Sequence, residues 1–508
     1  MSDVKELMRS KKIAIIISYF SLIFHTLNNI ILTPIYIKYL GLEQYGLYQM
    51  IYTVASYILI LDFGIQTTMV RYISRFHIQN DYESEKDFAA HCLILLSLVA
   101  LGIITVGGII NAFLLKIYPT ITDEESHAAH TMFIVMIIIL IATLIERFLQ
   151  GSLQSYENFV VCNGINVIKL IIKLILTILL ITGGVGVVSI VIVDFVAINI
   201  SCILLFLYSK RVIKFKVQLL KFKKKLIAEM LLFMFPIFLQ AIVGYVSSYV
   251  DKTILGIMTV KSDVAIYSVA MVFITFFNSL PTAISSVFLP QANKLIYGTE
   301  YTRASLTEFV SRPGRYSFIM CAGMIGGFIC FGKEFICLWA GESTVSAWHI
   351  ALIIMIPNMI PLIENTVLSI QDALNKRLFR SVILIVASFF NIIVSVILVH
   401  FIGMEGAPIG TALSFVIAYG IILNVYYDKK LNIDVIKMFQ TIVNRTWVCT
   451  MAPIALVLPL NLLLSMYSWW SLALKCVVFI IVYGLMLWIY GLNRQEKAEI
   501  KDLIRKCK

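Results

Sequence analysis

The feature that most limits this chain is a succession of fourteen apolar runs of about twenty residues, from residues 13–35 to residues 471–490. A helix of that length crosses the hydrocarbon core of a bilayer. Within that core only helices and closed barrels satisfy every backbone polar group, and runs this long are helices. The expected fold class is therefore an all-α integral membrane protein with about 14 transmembrane helices. Composition agrees. The chain is 60% hydrophobic and 14% charged, with a mean hydropathy of +0.91, whereas a soluble domain is about 25% charged. A soluble enzyme, a disordered protein and a secreted disulfide scaffold are excluded. The first run is too long for a signal-peptide core and lacks a small-residue cleavage site, so it is expected to remain as an uncleaved span.

Charge supplies the orientation. The net charge is +12 over 508 residues. With the N-terminus inside and the spans alternating, 33 of the 41 Lys and Arg fall on the inner side. Six fall at outer ends, and Lys169 and Lys173 lie within a span. This is the positive-inside pattern. It predicts an even number of spans, a multi-pass protein with both termini cytoplasmic, and no nucleic-acid partner, because no solvated basic face is available. Nine cysteines form no CxxC, and most sit inside apolar runs, so they read as small buried hydrophobes. Residues 209–228 carry eight basic residues interleaved with Val212, Ile213, Phe215, Val217, Leu219, Leu220 and Phe222. That pattern predicts an amphipathic helix lying on the anionic lipids of the inner leaflet.

Six spans precede this segment and eight follow. Shifting the sequence by 219 residues sets Gly46-Leu47-Tyr48 on Ala265-Ile266-Tyr267 and Leu61 on Leu280. The expected organisation is an N-terminal lobe over residues 1–208, a cytoplasmic basic linker over 209–228, a C-terminal lobe over 229–427, and two further spans with a cytoplasmic tail over 428–508. Two six-helix lobes in pseudo-twofold parallel repeat suggest an alternating-access transporter with a site between them.

Ionisable residues inside spans cost about 2.5–3.5 kcal/mol each on insertion scales, so they are the most informative ones. Lys169 and Lys173 are one turn apart on one helical face, too deep for easy snorkelling. They need water, a counter-charge or an anionic ligand. One reading is a cationic wall for a phosphate-bearing substrate. The other is a structural ion pair plus a lysine that reaches the outer surface. Asp194 lies at equal depth in the next span and is the expected partner of Lys173, which would leave Lys169 with the surplus charge. His25, Asn28 and Asn29 stripe the first span, either toward substrate or in hydrogen bonds to neighbouring helices. Asp62, in LILDFGIQ beside Gly64, reads as a gating or coupling carboxylate or as the cap of a kinked helix, with Arg71 marking the inner boundary. Asp251-Lys252 is expected at the outer mouth. Glu146-Arg147 and Glu364 are expected near inner ends, facing water. Pro236, Pro281, Pro290, Pro357 and Pro361 predict kinks in C-terminal spans. No GxxxxGK[ST], HExxH, GxSxG or paired Cys/His set is present, so no ATP motor, metal site, cofactor or enzyme activity is expected.

Leu32-Thr33-Pro34, then Tyr39-Leu40-Gly41-Leu42-Glu43-Gln44-Tyr45-Gly46-Leu47-Tyr48, then Leu61-Asp62-Phe63-Gly64-Ile65 and Arg71 resemble the opening of bacterial polysaccharide and O-antigen flippases. These belong to the multidrug/oligosaccharidyl-lipid/polysaccharide exporter superfamily. The motif covers about 40 residues; later segments match in pattern. The resemblance implies two six-helix lobes with two appended spans, in the bacterial cytoplasmic membrane. It implies an undecaprenyl-diphosphate-linked oligosaccharide as substrate, moved from the inner to the outer leaflet, with other polysaccharide assembly proteins as partners. It also implies a cationic cavity, which fits Lys169 and Lys173. Burying a diphosphate-sugar headgroup in hydrocarbon is prohibitive. An inside-negative potential drives an anion outward with about 2.3 kcal/mol per charge per 100 mV, so no ATP motif is needed. The alternatives are a multidrug antiporter of the same superfamily, which should show unpaired membrane carboxylates, and a membrane-embedded polysaccharide polymerase, which needs a large external loop.

Overall fold

The computed structural model describes residues 2–212, 224–286, 288–298, 301–374, 376, 378–463, 468–494, 496–498 and 501. All regular structure among them is helical, as the apolar runs require. Most of the basic linker expected over 209–228 lies outside the described residues. The chain divides into two compact units, Met1–Ala265 and Ile266–Lys508.

The first unit contains α1 (Ser2–Leu40), α2 (Leu42–Ile58), α3 (Ile65–Ile78), α4 (Tyr82–Ile117), α5 (Asp123–Ser155), α6 (Phe159–Thr182), α7 (Val188–Val212) and α8 (Lys224–Met258), and it ends in the first turns of α9 (Lys261–Ser286). Local chemistry sets the starts. Asp81 accepts the Ser84 N–H at 3.0 Å ahead of α4, and Thr122 forms a capping box with Glu125 ahead of α5, satisfying amides that have no intrahelical partner. Helix α5 is the hub, packing on α2, α3, α4 and α7, while α6 lies between α1 and α7. Gly46 allows the closest approach: a Cβ there would stand 2.0 Å from the Lys261 carbonyl oxygen. The apolar stripe of α2, with Leu47, Met50 and Ile51, is fully buried.

The run expected to form one second span is broken. Helix α2 passes into a 3-10 turn, Leu59–Asp62, and then Phe63 (φ 52°) and Gly64 (φ 70°) are both left-handed before α3 begins. Glycine tolerates that region freely; phenylalanine is held there by stacking on Phe238, ring centres 4.5 Å apart.

The second unit holds the rest of α9, then α10 (Leu289–Gly298), α11 (Arg303–Ala340), α12 (Ala347–Ile363), α13 (Val367–Ala373), α14 (Leu378–Ile402), α15 (Gly406–Phe415), a π-helical stretch over Val416–Leu423, α16 (Asn424–Lys430), α17 (Val435–Val443), α18 (Thr446–Val457), α19 (Leu460–Leu463) and α20 (Trp469–Met486). Here α11 is the hub, packing on α12, α17, α18 and α20. Two buried cations tie it down. Lys475 Nζ is 2.7 Å from Glu334 Oε2. Arg315 reaches Glu496 at 2.9 Å, the Thr441 carbonyl at 2.8 Å, and the Gly491 carbonyl.

Helix starts repeat at the offset read from the sequence. Leu42 and Lys261, Asp123 and Glu342, and Phe159 and Leu378 are each 219 residues apart and each opens a helical element. Eleven helical segments among the described residues are long and apolar enough to cross a membrane, against the fourteen runs expected. Part of the difference is that one segment, Leu378–Lys430, doubles back, with α14 packed along α15; another part is that Thr446–Val457 is a shorter apolar helix.

Candidate functional site

All but one of the charged residues singled out in the sequence lie in the first unit, on α1, the 3-10 turn after α2, α3, α5, α6, α7 and α8. Lys173 Nζ lies 2.5 Å from Asp194 Oδ1, the pair expected from their equal depth. Lys169 does not hold surplus charge. Its Nζ sits 2.8 and 3.0 Å from the two oxygens of Glu146, and Ser201 donates to Glu146 Oε1 at 2.5 Å. Glu146 is therefore buried within the bundle, at 4% exposure, rather than facing water at an inner end. One lysine three or four residues from another can find a carboxylate on a different helix, and depth along α5 could not be registered against α6 from sequence. Lys169, Lys173 and Asp194 keep 24%, 23% and 21% of their side-chain surface open, so the pairs border accessible space.

Arg147, also expected near water, forms an ion pair with Asp62 at the break between α2 and α3. Asp62 is buried, as a charge beside a broken helix in hydrocarbon must be when it has a partner. His25 is exposed on the α1 face that carries it, close enough to feel both Lys173 and Lys169. Asn28 is buried and donates to the Leu170 carbonyl of α6 at 2.8 Å, an interhelical bond, while Asn29 is exposed.

The remaining expected residues stand apart. Arg71 lies over the Phe233 ring at 4.1 Å. Asp251 and Lys252, expected at the outer mouth, are both buried, and Lys252 donates to Gln49 Oε1 of α2 at 3.1 Å. Glu364 belongs to the second unit. It is 1% exposed, not water-facing, and accepts from Asn424 Nδ2 at 2.8 Å in a 3-10 turn that follows Pro361.

Sequence reading missed a tyrosine ribbon. Tyr45, Tyr48 and Tyr52 recur at three- and four-residue steps on one face of α2. They connect Tyr36 of α1, 5.8 Å from Tyr45, to Tyr249 of α8, 6.2 Å from Tyr52, and on to Tyr245 at 6.0 Å. Tyr36 stands beside the Lys173–Asp194 pair and Tyr245 beside Arg147. The helical spacing of these tyrosines was the available signal. Among the described residues no group of His, Cys, Asp and Glu is arranged to hold a metal ion.

Residues 12–295 match a family model described as Polysaccharide biosynthesis protein. Over 188 residues the chain is 23% identical to a protein of Haloferax volcanii named "Probable low-salt glycan biosynthesis flippase Agl15"; the match is 37% of this chain and 39% of that protein, so about two-fifths of the relative's length is spanned. Two solved structures share the fold. One is titled "Lipid II flippase MurJ, inward closed conformation" (TM-score 0.71, 15% identity, 93% of this chain and 97% of that one). The other is an inward-facing multidrug resistance MATE family transporter of the MOP superfamily (TM-score 0.64, 14% identity, 78% of this chain and 92% of that one).

Proposed function

We propose, since this chain belongs to the polysaccharide biosynthesis protein family, that it is a flippase for a lipid-linked oligosaccharide. In this reading the substrate is an undecaprenyl-diphosphate-linked glycan that moves from the inner to the outer leaflet of a bacterial cytoplasmic membrane by alternating access, for surface polysaccharide assembly.

The observation that carries the reading is the pair of lysines on α6, each about one-quarter exposed. An ammonium has three N–H donors. Asp194 takes Lys173 at a single contact, and Glu146 takes Lys169. The carboxylates balance the charge of both amines inside the bundle and hold them in place. Donors left over are free to meet a diphosphate, which would take them as charge-assisted hydrogen bonds, each worth about 1.5–3 kcal/mol. The site is thus charge-balanced at rest and gains its ligand's charge on loading. The tyrosine ribbon extends from these lysines toward Asp62–Arg147. Its accessible members, Tyr52, Tyr245 and Tyr249, offer ring faces and hydroxyls together, the combination that suits a sugar, whose surface is apolar on its C–H faces and polar at its hydroxyls. The lipid tail stays in the bilayer, and the membrane potential assists outward movement of the anion.

The multidrug antiporter reading is favoured by one observation, the fold shared with MATE transporters. The two separate on cargo. Lys169→Gln with Lys173→Gln, made together with Glu146→Gln and Asp194→Asn so that no carboxylate is stranded, should leave the protein folded in the membrane and lower glycan export in a dependent strain about a hundredfold, from two lost charge-assisted bonds. Normal surface glycan at normal protein level would remove the proposal. A drug-resistance phenotype that survives these substitutions would favour the antiporter.

A further inference from the structure

The second unit carries a groove of about 630 Å³ that the transport reading does not use. Its walls come from the start of α14 and from the π-helical stretch running into α16. Phe379, Ile421 and Val425 form its floor and stand 40%, 55% and 49% exposed. Phe379 is stacked on Tyr426, ring centres 4.2 Å apart and 17° from parallel, which makes that floor flat and rigid. Three lysines close one end: Lys376, Lys429 and Lys430. Lys376 Nζ donates to the Lys430 carbonyl at 3.3 Å, so the α16 C-terminus anchors it beside the other two.

From this juxtaposition we infer that the groove is a binding site for one anionic diacyl phospholipid, with its phosphate among Lys376, Lys429 and Lys430 and an acyl chain along the apolar floor. The nearest carboxylate on α16, Asp428, is held by Arg303 at 2.5 Å and is not available to the lysines. Among the described residues none of the three lysines is in an ion pair. A soluble anion would leave the apolar floor wet, and a zwitterionic lipid would bring its own ammonium against the cations. A lipid with net negative charge satisfies both halves, and basic clusters beside membrane helices have that preference. The inference is independent of what the protein transports.

The test is native mass spectrometry of the full-length chain in detergent, offered equimolar dioleoyl phosphatidylglycerol and dioleoyl phosphatidylcholine. The expected result is a one-to-one phosphatidylglycerol adduct that persists under activation that strips phosphatidylcholine. K376Q/K429Q/K430Q should weaken it about a hundredfold, and Val425→Trp, which fills the floor and keeps every charge, should weaken it as well. R494Q/K497Q/K501Q, with the same charge removed elsewhere, should leave it intact. Equal retention of the two lipids, or equal loss in the control, overturns the site in favour of a diffuse basic surface. Excess inorganic phosphate should not displace the lipid; displacement would overturn the apolar half. A polyprenyl diphosphate that displaces the adduct at equimolar concentration would reassign the groove to the transport substrate and overturn the inference. A diazirine-tailed phosphatidylglycerol on the unaltered chain guards against misfolded variants: label within residues 419–430 supports the site, and label confined elsewhere overturns it.

Discussion

Hairpins α6–α7 and α14–α15 occupy the same step of the 219-residue repeat and are held together by different chemistry. In the first, Lys173 pairs with Asp194 across the two helices. At the same offset the second has Ile392 and Leu413, and Ser388 stands where Lys169 does. The second hairpin closes without charge. Asn391 Nδ2 donates to Thr411 Oγ1 at 3.2 Å, Ser395 donates to Asn391 Oδ1 at 2.9 Å, and Gly410 lies so close that a Cβ would meet Ser395 Oγ at 2.2 Å. A hairpin of this kind therefore needs no ion pair to form. A buried ion pair is often no more stable than a well-packed apolar replacement, so packing alone does not account for the charges in the first hairpin.

The comparison can be broken at several points. The largest effect falls where the second hairpin depends on close approach. Gly410→Leu should cost about 3 kcal/mol through overpacking, seen as loss of monodisperse protein on extraction; a well-folded variant would show that the hairpin does not rely on backbone proximity. Next comes conversion of the first hairpin to the chemistry of the second. Lys173→Ile with Asp194→Leu should leave the unfolding midpoint within a few degrees of the parent, since paired removal is close to neutral, while glycan export falls roughly tenfold or more. Export unchanged would make the pair purely structural. Asp194→Leu alone strands an ammonium that is still about one-quarter accessible and should cost about 1–2 kcal/mol, measurable as a lowered midpoint that the Lys173→Ile partner change restores. The smallest effect is Asn391→Ala, at about 0.6–1 kcal/mol for a neutral interhelical bond in a membrane, with export unchanged.

A separate contrast concerns exposure. The Lys475–Glu334 pair is 0% and 4% exposed, so it is sealed, whereas the Lys169 and Lys173 pairs border open space. Lys475→Ala should be strongly destabilising, about 3–5 kcal/mol, because it leaves a buried carboxylate alone. Lys475→Met with Glu334→Leu should recover most of that in the same thermal measurement.

Sequence pattern carried the helical class, the repeat offset and the Lys173–Asp194 pair, because apolar length, spacing and depth are all properties of a single chain read in order. It did not carry the partner of Lys169. Glu146 lies near the end of its apolar run, and relative depth between helices that are not adjacent in sequence depends on tilt and packing. The partner of Lys252 was hidden for the same reason: it sits towards the end of α8, and Gln49 lies on α2. The tyrosines were hidden by frequency, since a chain with 24 of them gives no cause to single out six before their helices are placed side by side. Glycine beside Asp62 signalled a loosened helix; that Phe63 would also turn left-handed depended on Phe238, far along the chain.

That turn has a mechanical consequence. Two residues, not a continuous ladder, join the halves of the second span, and the matching step of the other unit holds Pro281 inside α9, where an amide hydrogen is missing. A rod scored once yields at the score. Arg147 clasps Asp62 on that line, so flexure there must either drag α5 along or let the clasp go, and the strength of one guanidinium–carboxylate grip sets how readily the span folds over itself.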